Sequence, residues 1–309
     1  MTRIITITLN PAFDIHYHVP QFAVGKENYS TNRTVDAGGK GVNISRALAA
    51  SGVPSLALIA MGSENGRDFC TMLEQDDIEY VPIRCEGSIR YNVTIHPSSG
   101  PETRISQDSF QLTADKLEEI REKLIDLIEP GTLVAFAGRV PKGISLPTIK
   151  SFLQSLKDAG ALLLLDTNTF LLDDIIDIKP WLIKPNEYEI ELLMGREISD
   201  LSEIKAAADE IHRSGVDNVL VSLGGQGMVY VGHELSCRVA VPQITPLSTV
   251  GAGDSTLAGY IFGYVKGMSQ IDTLKSAAAF GTAACLSHGT KPPKPEVIVE
   301  LREEITVLV

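Results

Sequence analysis

A doubly wound α/β fold, with a mainly parallel sheet flanked by helices and a small β-sheet lid, is predicted by three features of the 309-residue sequence. Short apolar runs alternate with helical patterns along the chain. Several of those runs are apolar on both faces, as central parallel strands covered by helices must be. Two further stretches instead alternate polar and apolar residues, which suits half-exposed strands outside the core.

The predicted core strands are, in order, "RIITITL" (Arg3–Leu9), "SLALIAM" (Ser55–Met61), "TLVAFAG" (Thr132–Gly138), "ALLLLD" (Ala161–Asp166), "WLIKPN" (Trp181–Asn186) and "NVLVSLG" (Asn218–Gly224). The clearest amphipathic helix is "LTADKLEEIREKLIDLI", with Thr113 as its N-cap. The lid is assigned to two insertions at about 14–36 and 89–106, where "IHYHV" and "IRYNVTI" carry the alternating pattern. Residues 1–309 then form one domain, since no internal repeat or low-complexity linker divides them.

Composition narrows the function. The chain is 44% hydrophobic and 21% charged, enough for one large core or two modest ones. A formal net charge of -12 argues against nucleic acid, whose phosphates favour a basic surface, but not against an anionic small substrate met by a local basic cluster. Cys70, Cys85, Cys237 and Cys285 are scattered, with no metal-ligand or disulfide spacing. The N-terminal "MTRIITITLN" lacks a cleavable apolar segment, and no stretch approaches the roughly 20 apolar residues of a membrane span. A cytoplasmic protein without membrane or nucleic-acid partners is expected.

Two common nucleotide motifs are missing. "NPAFD" rather than G-x-G-x-x-G follows the first strand, and "AGGKGVN" fails the P-loop spacing. "STVGAGDSTLAGYIFG" (Ser248–Gly263) offers another way to hold phosphate. Gly251 and Gly253 lack side chains, so a ligand can approach the backbone, and Leu257, Ala258, Tyr260, Ile261 and Tyr264 continue as a helix. The N–H groups of residues 251–253 at a helix start make an anion-binding concavity. Asp254 at its edge suits a carboxylate that takes the proton of a hydroxyl attacking a held phosphoryl group. The same pattern equally suits an Asp that only caps the helix or complements its dipole.

Five segments together resemble the ribokinase-like, PfkB-type carbohydrate kinases: "NPAFD" (Asn10–Asp14), "AGGKGVNISRAL" (Ala37–Leu48), "KPNEYE" (Lys184–Glu189), "SLGGQG" (Ser222–Gly227) and "STVGAGDS" (Ser248–Ser255). The resemblance runs nearly end to end and is strongest to the hexose-phosphate branch. It implies ATP-dependent phosphorylation of a hexose phosphate, first fructose 1-phosphate to fructose 1,6-bisphosphate. Tagatose-6-phosphate kinase and 6-phosphofructokinase activities are the alternatives, and a non-catalytic ATP- or sugar-phosphate-binding sensor a more distant one.

The resemblance also implies residue roles. Asp254 is the base, with Gly251, Ala252 and Gly253 supplying amides to the transferred group. Asp14, Gly38, Gly39 and Asn43 meet sugar hydroxyls, although Asn43 by itself also reads as an N-cap. Lys40 and Arg90 are assigned to the substrate's existing phosphate, with Lys26 and Arg104 as weaker candidates. Arg139, where many relatives carry serine, adds a phosphate contact or reshapes its loop. Lys184, Asn186, Ser222, Gly224 and Gly227 face ATP, and Glu189 meets Mg²⁺ through water. A helix N-terminus beside Asp254 predicts a lowered pKa. Lid closure would exclude water, and the lid would form a homodimer contact.

Overall fold

The computed structural model describes residues 2–287 and 289–309. Among them, the first half of the chain carries β1 (Ile4–Thr8), β2 (Ala12–Val19), β3 (Asn32–Gly38), β4 (Leu56–Gly62), β5 (Glu79–Cys85), β6 (Arg90–Pro97), β7 (Thr103–Ser106) and β8 (Leu133–Ala137). The second half adds β9 (Leu162–Asp166), β10 (Leu182–Ile183), β11 (Asn218–Ser222), β12 (Met228–Gly232), β13 (Ser236–Ala240) and β14 (Thr306–Leu308). The helices are α1 (Lys40–Ala50), α2 (Gly66–Gln75), α3 (Ala114–Leu127), α4 (Leu146–Asp158) and α5 (Leu172–Ile178). After them come α6 (Glu187–Met194), α7 (Leu201–Arg213), α8 (Ala252–Val265), α9 (Gln270–Ala284) and α10 (Pro295–Glu304).

The main sheet runs β14-β13-β12-β11-β10-β9-β8-β1-β4-β5. Every pair from β11 to β5 is parallel, and Ile5 sits in register with both Leu56 and Val134. The edge from β11 to β14 is antiparallel. Side chains alternate along each strand, so the sheet feeds two cores. Ile5, Ile7, Val134 and Phe136 join the side covered by α2, α3, α4, α5 and α7. Ile4, Leu133, Ala135 and Leu164 join the side covered by α1, α8, α9 and α10. A fully buried leucine such as Leu164 contributes about 1.5–3 kcal/mol relative to exposure. This two-sided burial is why the strands read as unbroken apolar runs.

The predicted core strands all form, each shortened by a residue or more except β4, which is shifted by one residue. Thr113 does cap α3, its Oγ1 accepting from the Lys116 N–H at 3.3 Å. Four strands of the main sheet went unread. β5 contains Pro82 and Arg84 and is tolerated because it is an edge strand, and β12, β13 and β14 are short antiparallel strands, of which β14 forms the opposite edge.

The lid is a four-stranded sheet ordered β3-β2-β6-β7, with β2 and β6 parallel. Half-exposure holds for β3, β6 and β7 but not for β2, which is sandwiched between β3 and β6 and buries Phe13, Ile15 and His16.

Candidate active site

A cavity of about 980 Å³ opens between the lid and the carboxyl ends of the parallel strands. Ligands of open α/β sheets gather at that edge because the loops and helix starts converge there. Gly251 is the N-cap of α8, with φ 77°, in the left-handed region that glycine tolerates. Ala252 and Gly253 follow along the cavity wall, and Asp254 lies in the first helical turn. The N–H groups of a first turn have no intrahelical acceptor and attract anions.

Asp254 is 6% exposed, and its Oδ2 accepts from Asn43 Nδ2 at 2.8 Å. The carboxyl is pushed up to about 6, first by burial and then by the neighbouring Asp166 charge, against the pull of Lys40, Asn43 and Lys184. The lowered pKa predicted from the helix N-terminus is therefore corrected: loss of water outweighs the helix dipole at this position. An acid titrating near neutrality is also a better proton acceptor than an ordinary aspartate.

Asp166 ends β9 and is nearly inaccessible, at 1% exposure. Its Oδ1 accepts from Lys40 Nζ at 2.9 Å, and its Oδ2 pairs with Lys184 Nζ at 3.3 Å. Burial would raise the Asp166 carboxyl, but Lys184 and Lys40 hold it below the usual carboxylate range. Burial likewise opposes the Lys40 charge, yet Asp166 and then Asp254 keep its ammonium above the ordinary lysine range. Two cations are thus fixed beside the glycine turn.

The lid wall begins at Asp14, whose Oδ1 accepts from Asn92 Nδ2 at 2.9 Å. Burial raises the Asp14 carboxyl. Gly38 makes room for it: a methyl group there would lie 2.0 Å from Asp14 Oδ2. Gly39 is the N-cap of α1 and Asn43 lies one turn inside, so the N-cap reading of Asn43 is corrected. Arg90 and Arg104 line the cavity from β6 and β7. Burial lowers the Arg90 guanidinium, which is influenced by Asp14, Arg139 and Asp108. The charges acting on Lys40 are instead Asp166, Asp254 and Glu189. Lys40 and Arg90, predicted to share one phosphate, both line the cavity, Lys40 paired with Asp166 and Arg90 at the start of β6. Arg139 and Lys26 are exposed and lie outside the cavity lining.

On the remaining wall, Asn186 caps α6 in a reciprocal box with Glu189. The Glu189 N–H donates to Asn186 Oδ1 at 2.9 Å, and the Asn186 N–H to Glu189 Oε2 at 3.0 Å. Ser222 ends β11, and Gly224 and Gly227 turn the chain beneath the cavity with φ 52° and 91°.

The sequence matches the family described as pfkB family carbohydrate kinase over residues 7–297, a span holding the lid, the paired lysines and the glycine turn. The chain belongs to this family. It is a phosphotransferase that acts on a hydroxyl group. It is 30% identical over 305 residues to a 1-phosphofructokinase of Vibrio cholerae, covering 99% of this chain and 96% of the relative. A tagatose-6-phosphate kinase of Staphylococcus epidermidis is 28% identical, with 99% of each chain covered. The solved phosphofructokinase-2 from Escherichia coli in complex with fructose-6-phosphate has a TM-score of 0.91 at 26% identity, covering 98% of this chain and 99% of that one.

Sequence reasoning missed Asp166, Asn92 and Thr290. Asp166 was visible as a carboxylate closing a central strand, which points into the crevice of an α/β sheet. Asn92 carried no signal until the parallel pairing of β2 and β6 set it opposite Asp14. Thr290 lines the cavity with a buried hydroxyl that has no hydrogen-bond partner. Ala278, Gly281, Thr282 and Cys285, from the C-terminal part of α9 and its cap, also line the cavity.

Proposed function

We propose that the protein transfers the γ-phosphoryl group of ATP to fructose 1-phosphate, giving fructose 1,6-bisphosphate. The observation that carries this reading is Asp254, buried at the start of α8, facing a cavity that also holds Lys40 and Lys184. The new bond joins the sugar oxygen to the γ-phosphorus, the bond to the β–γ bridging oxygen breaks, and the hydroxyl proton passes to Asp254. The amides of residues 251–254 and the two lysines neutralise charge on the transferred group. Asp14 and Asn92 accept and donate hydrogen bonds at the sugar hydroxyls, beside Gly38 and Gly39. Arg90, with Arg104, takes the phosphate already on the sugar.

Asn186, Ser222, Gly224 and Gly227 border the ATP phosphates. Mg²⁺ suits this site as an ion that arrives with ATP. Among the described residues no three acidic or imidazole side chains cluster to hold a metal, and Mg²⁺ needs only one or two carboxylates besides phosphates and water. Glu189, with one carboxylate oxygen free of the α6 cap, would hold it through water. The ion supplies charge neutralisation across the phosphates.

Tagatose 6-phosphate is the second reading, favoured by the 28% identity to a tagatose-6-phosphate kinase. Residues 1–309 act as one domain with an inserted lid, in the cytoplasm. No described helix is long and apolar enough to cross a membrane. A homodimer through the lid is supported by Ile105 and Tyr29, left 55% and 73% exposed. ADP release is to be measured with fructose 1-phosphate, tagatose 6-phosphate, fructose 6-phosphate and free fructose. The highest kcat/KM is expected with fructose 1-phosphate. ATP binding without turnover of any sugar would leave a sensor instead.

A further inference from the structure

Arg46 lies one helical turn after Asn43 on α1 and is only 4% exposed. A guanidinium removed from water is costly unless its donors are used. Here every nitrogen has an acceptor. Nε donates to Asp76 Oδ2 at 2.7 Å, Nη1 to Asn43 Oδ1 at 3.0 Å, and Nη2 to the Ala37 carbonyl. The three acceptors come from the C-cap of α2, from α1 itself, and from the end of β3 that runs into Gly38 and Gly39. One buried side chain therefore ties the sugar-facing strand end, the helix carrying Asn43 and the half-exposed Asp76 to a single point.

We propose that Arg46 is a positioning residue for phosphoryl transfer: it fixes the orientation of the Asn43 amide and, through it, the Asp254 carboxylate. The inference rests on Asp254 acting as the base. A carboxamide has one accepting end and one donating end, whereas a guanidinium only donates. The end of Asn43 that meets Arg46 is therefore Oδ1, and Nδ2 is left to meet Asp254 Oδ2. With Oδ2 engaged, Oδ1 of Asp254 is the oxygen available to the substrate hydroxyl. Without Arg46 the Asp254 carboxylate alone selects this amide orientation, and the selection is lost whenever Asp254 is protonated. In the opposite one two oxygens face each other, and Asp254 either turns away or keeps its proton. Small errors in such placement are costly, because a shift of about 1 Å at a reacting group can lose on the order of a hundredfold in rate.

The charged groups that face Asp254 are Asp166 from the end of β9, Lys184 after β10, and Lys40 beside Asn43 on α1. The test is steady-state kinetics over pH for Arg46→Gln and Asp76→Asn, with Arg46→Gln also placed in an Asp254→Asn background. Arg46→Gln should lower kcat on the order of ten- to a hundredfold, with KM for ATP within about twofold of wild type. The acid limb of kcat should move to higher pH, because a hydrogen bond favouring the charged form is lost. In the Asp254→Asn background the same substitution should cost nothing further, since its effect passes through Asp254. Asp76→Asn, which leaves both Nη contacts in place, should shift kcat and the acid limb in the same direction by less. A folded Arg46→Gln with an unmoved acid limb, or with an equal loss in the Asp254→Asn background, overturns the proposal. If Arg46→Gln does not fold, Asp76→Asn decides, and unchanged kcat and acid limb there overturn it. Full turnover in Asp254→Asn alone would remove the base itself. Loss there with an unmoved Arg46→Gln profile would remove only the positioning role.

Discussion

Neutralising Asp166 tests the electrostatics of the site without touching the proposed base. After burial, the Asp166 charge is the largest influence raising Asp254, and together they lift the carboxyl from 3.8 to about 6. At about 1.4 kcal/mol per pH unit, that amounts to on the order of 3 kcal/mol against the charged form. Asp166→Asn removes the repulsion and leaves Lys40 and Lys184 unpaired, and both favour the Asp254 carboxylate. A lower pKa means the base stays ionised to lower pH. In wild type, kcat/KM should fall about tenfold per pH unit below about pH 6, as one protonation disables the base. In Asp166→Asn that limb should move down by about one pH unit, a share of the full shift. On the alkaline plateau kcat should drop by about tenfold or more, because the two lysines lose their anchor beside the transferred phosphoryl group. The assay is ADP release with saturating ATP and varied hexose phosphate, from about pH 5 to about pH 9. A wild-type limb near 4, or a variant limb that stays put or moves upward, would refute the reasoning.

Arg90→Ala should raise KM for a phosphorylated hexose by about tenfold or more, with a smaller change in kcat, as a charge-assisted contact to phosphate is lost. An unchanged KM would place the phosphate elsewhere. Gly38→Ala brings a methyl group 2.0 Å from Asp14 Oδ2 and 3.1 Å from the Ala12 carbonyl, so Asp14 must move. The hexose KM should rise while the ATP KM holds, and equal change in both would contradict a sugar-facing role. Thr113→Ala removes the α3 cap and should cost about 1 kcal/mol in denaturant unfolding with kinetics unchanged.

The parallel centre of the fold was legible because burial on both faces leaves no choice but continuous apolar runs, as in "ALLLLD" and "TLVAFAG". The antiparallel edge from β12 to β14 was not legible, since β13 and β14 are short and partly exposed and the pairing of all three strands is a long-range property. The glycine turn and its adjacent acid were visible in the spacing, which by itself suited a phosphate cradle and a capping aspartate equally. What spacing could not supply was the balance of forces on that acid. The helix dipole is visible in the sequence, whereas burial and the approach of Asp166, 88 residues earlier, exist only once the chain is folded. The pairing of Lys40 with Asp166 was hidden for the same reason, because a distant strand supplies the partner. Arg46 sits inside a motif segment, yet its neighbours Ile44, Ala47 and Leu48 mark that helix face as core. Only the three hydrogen bonds distinguish it from an ordinary helix arginine.

The most direct measurement is turnover and ATP binding for Asp254→Asn, an exchange that keeps size and removes proton-accepting capacity. Loss of the base predicts a fall in kcat of about 10²–10⁴ with ATP affinity held within about threefold. Turnover at the wild-type rate, or a loss of ATP binding that accounts for all of the lost activity, would contradict Asp254 as the group that receives the hydroxyl proton.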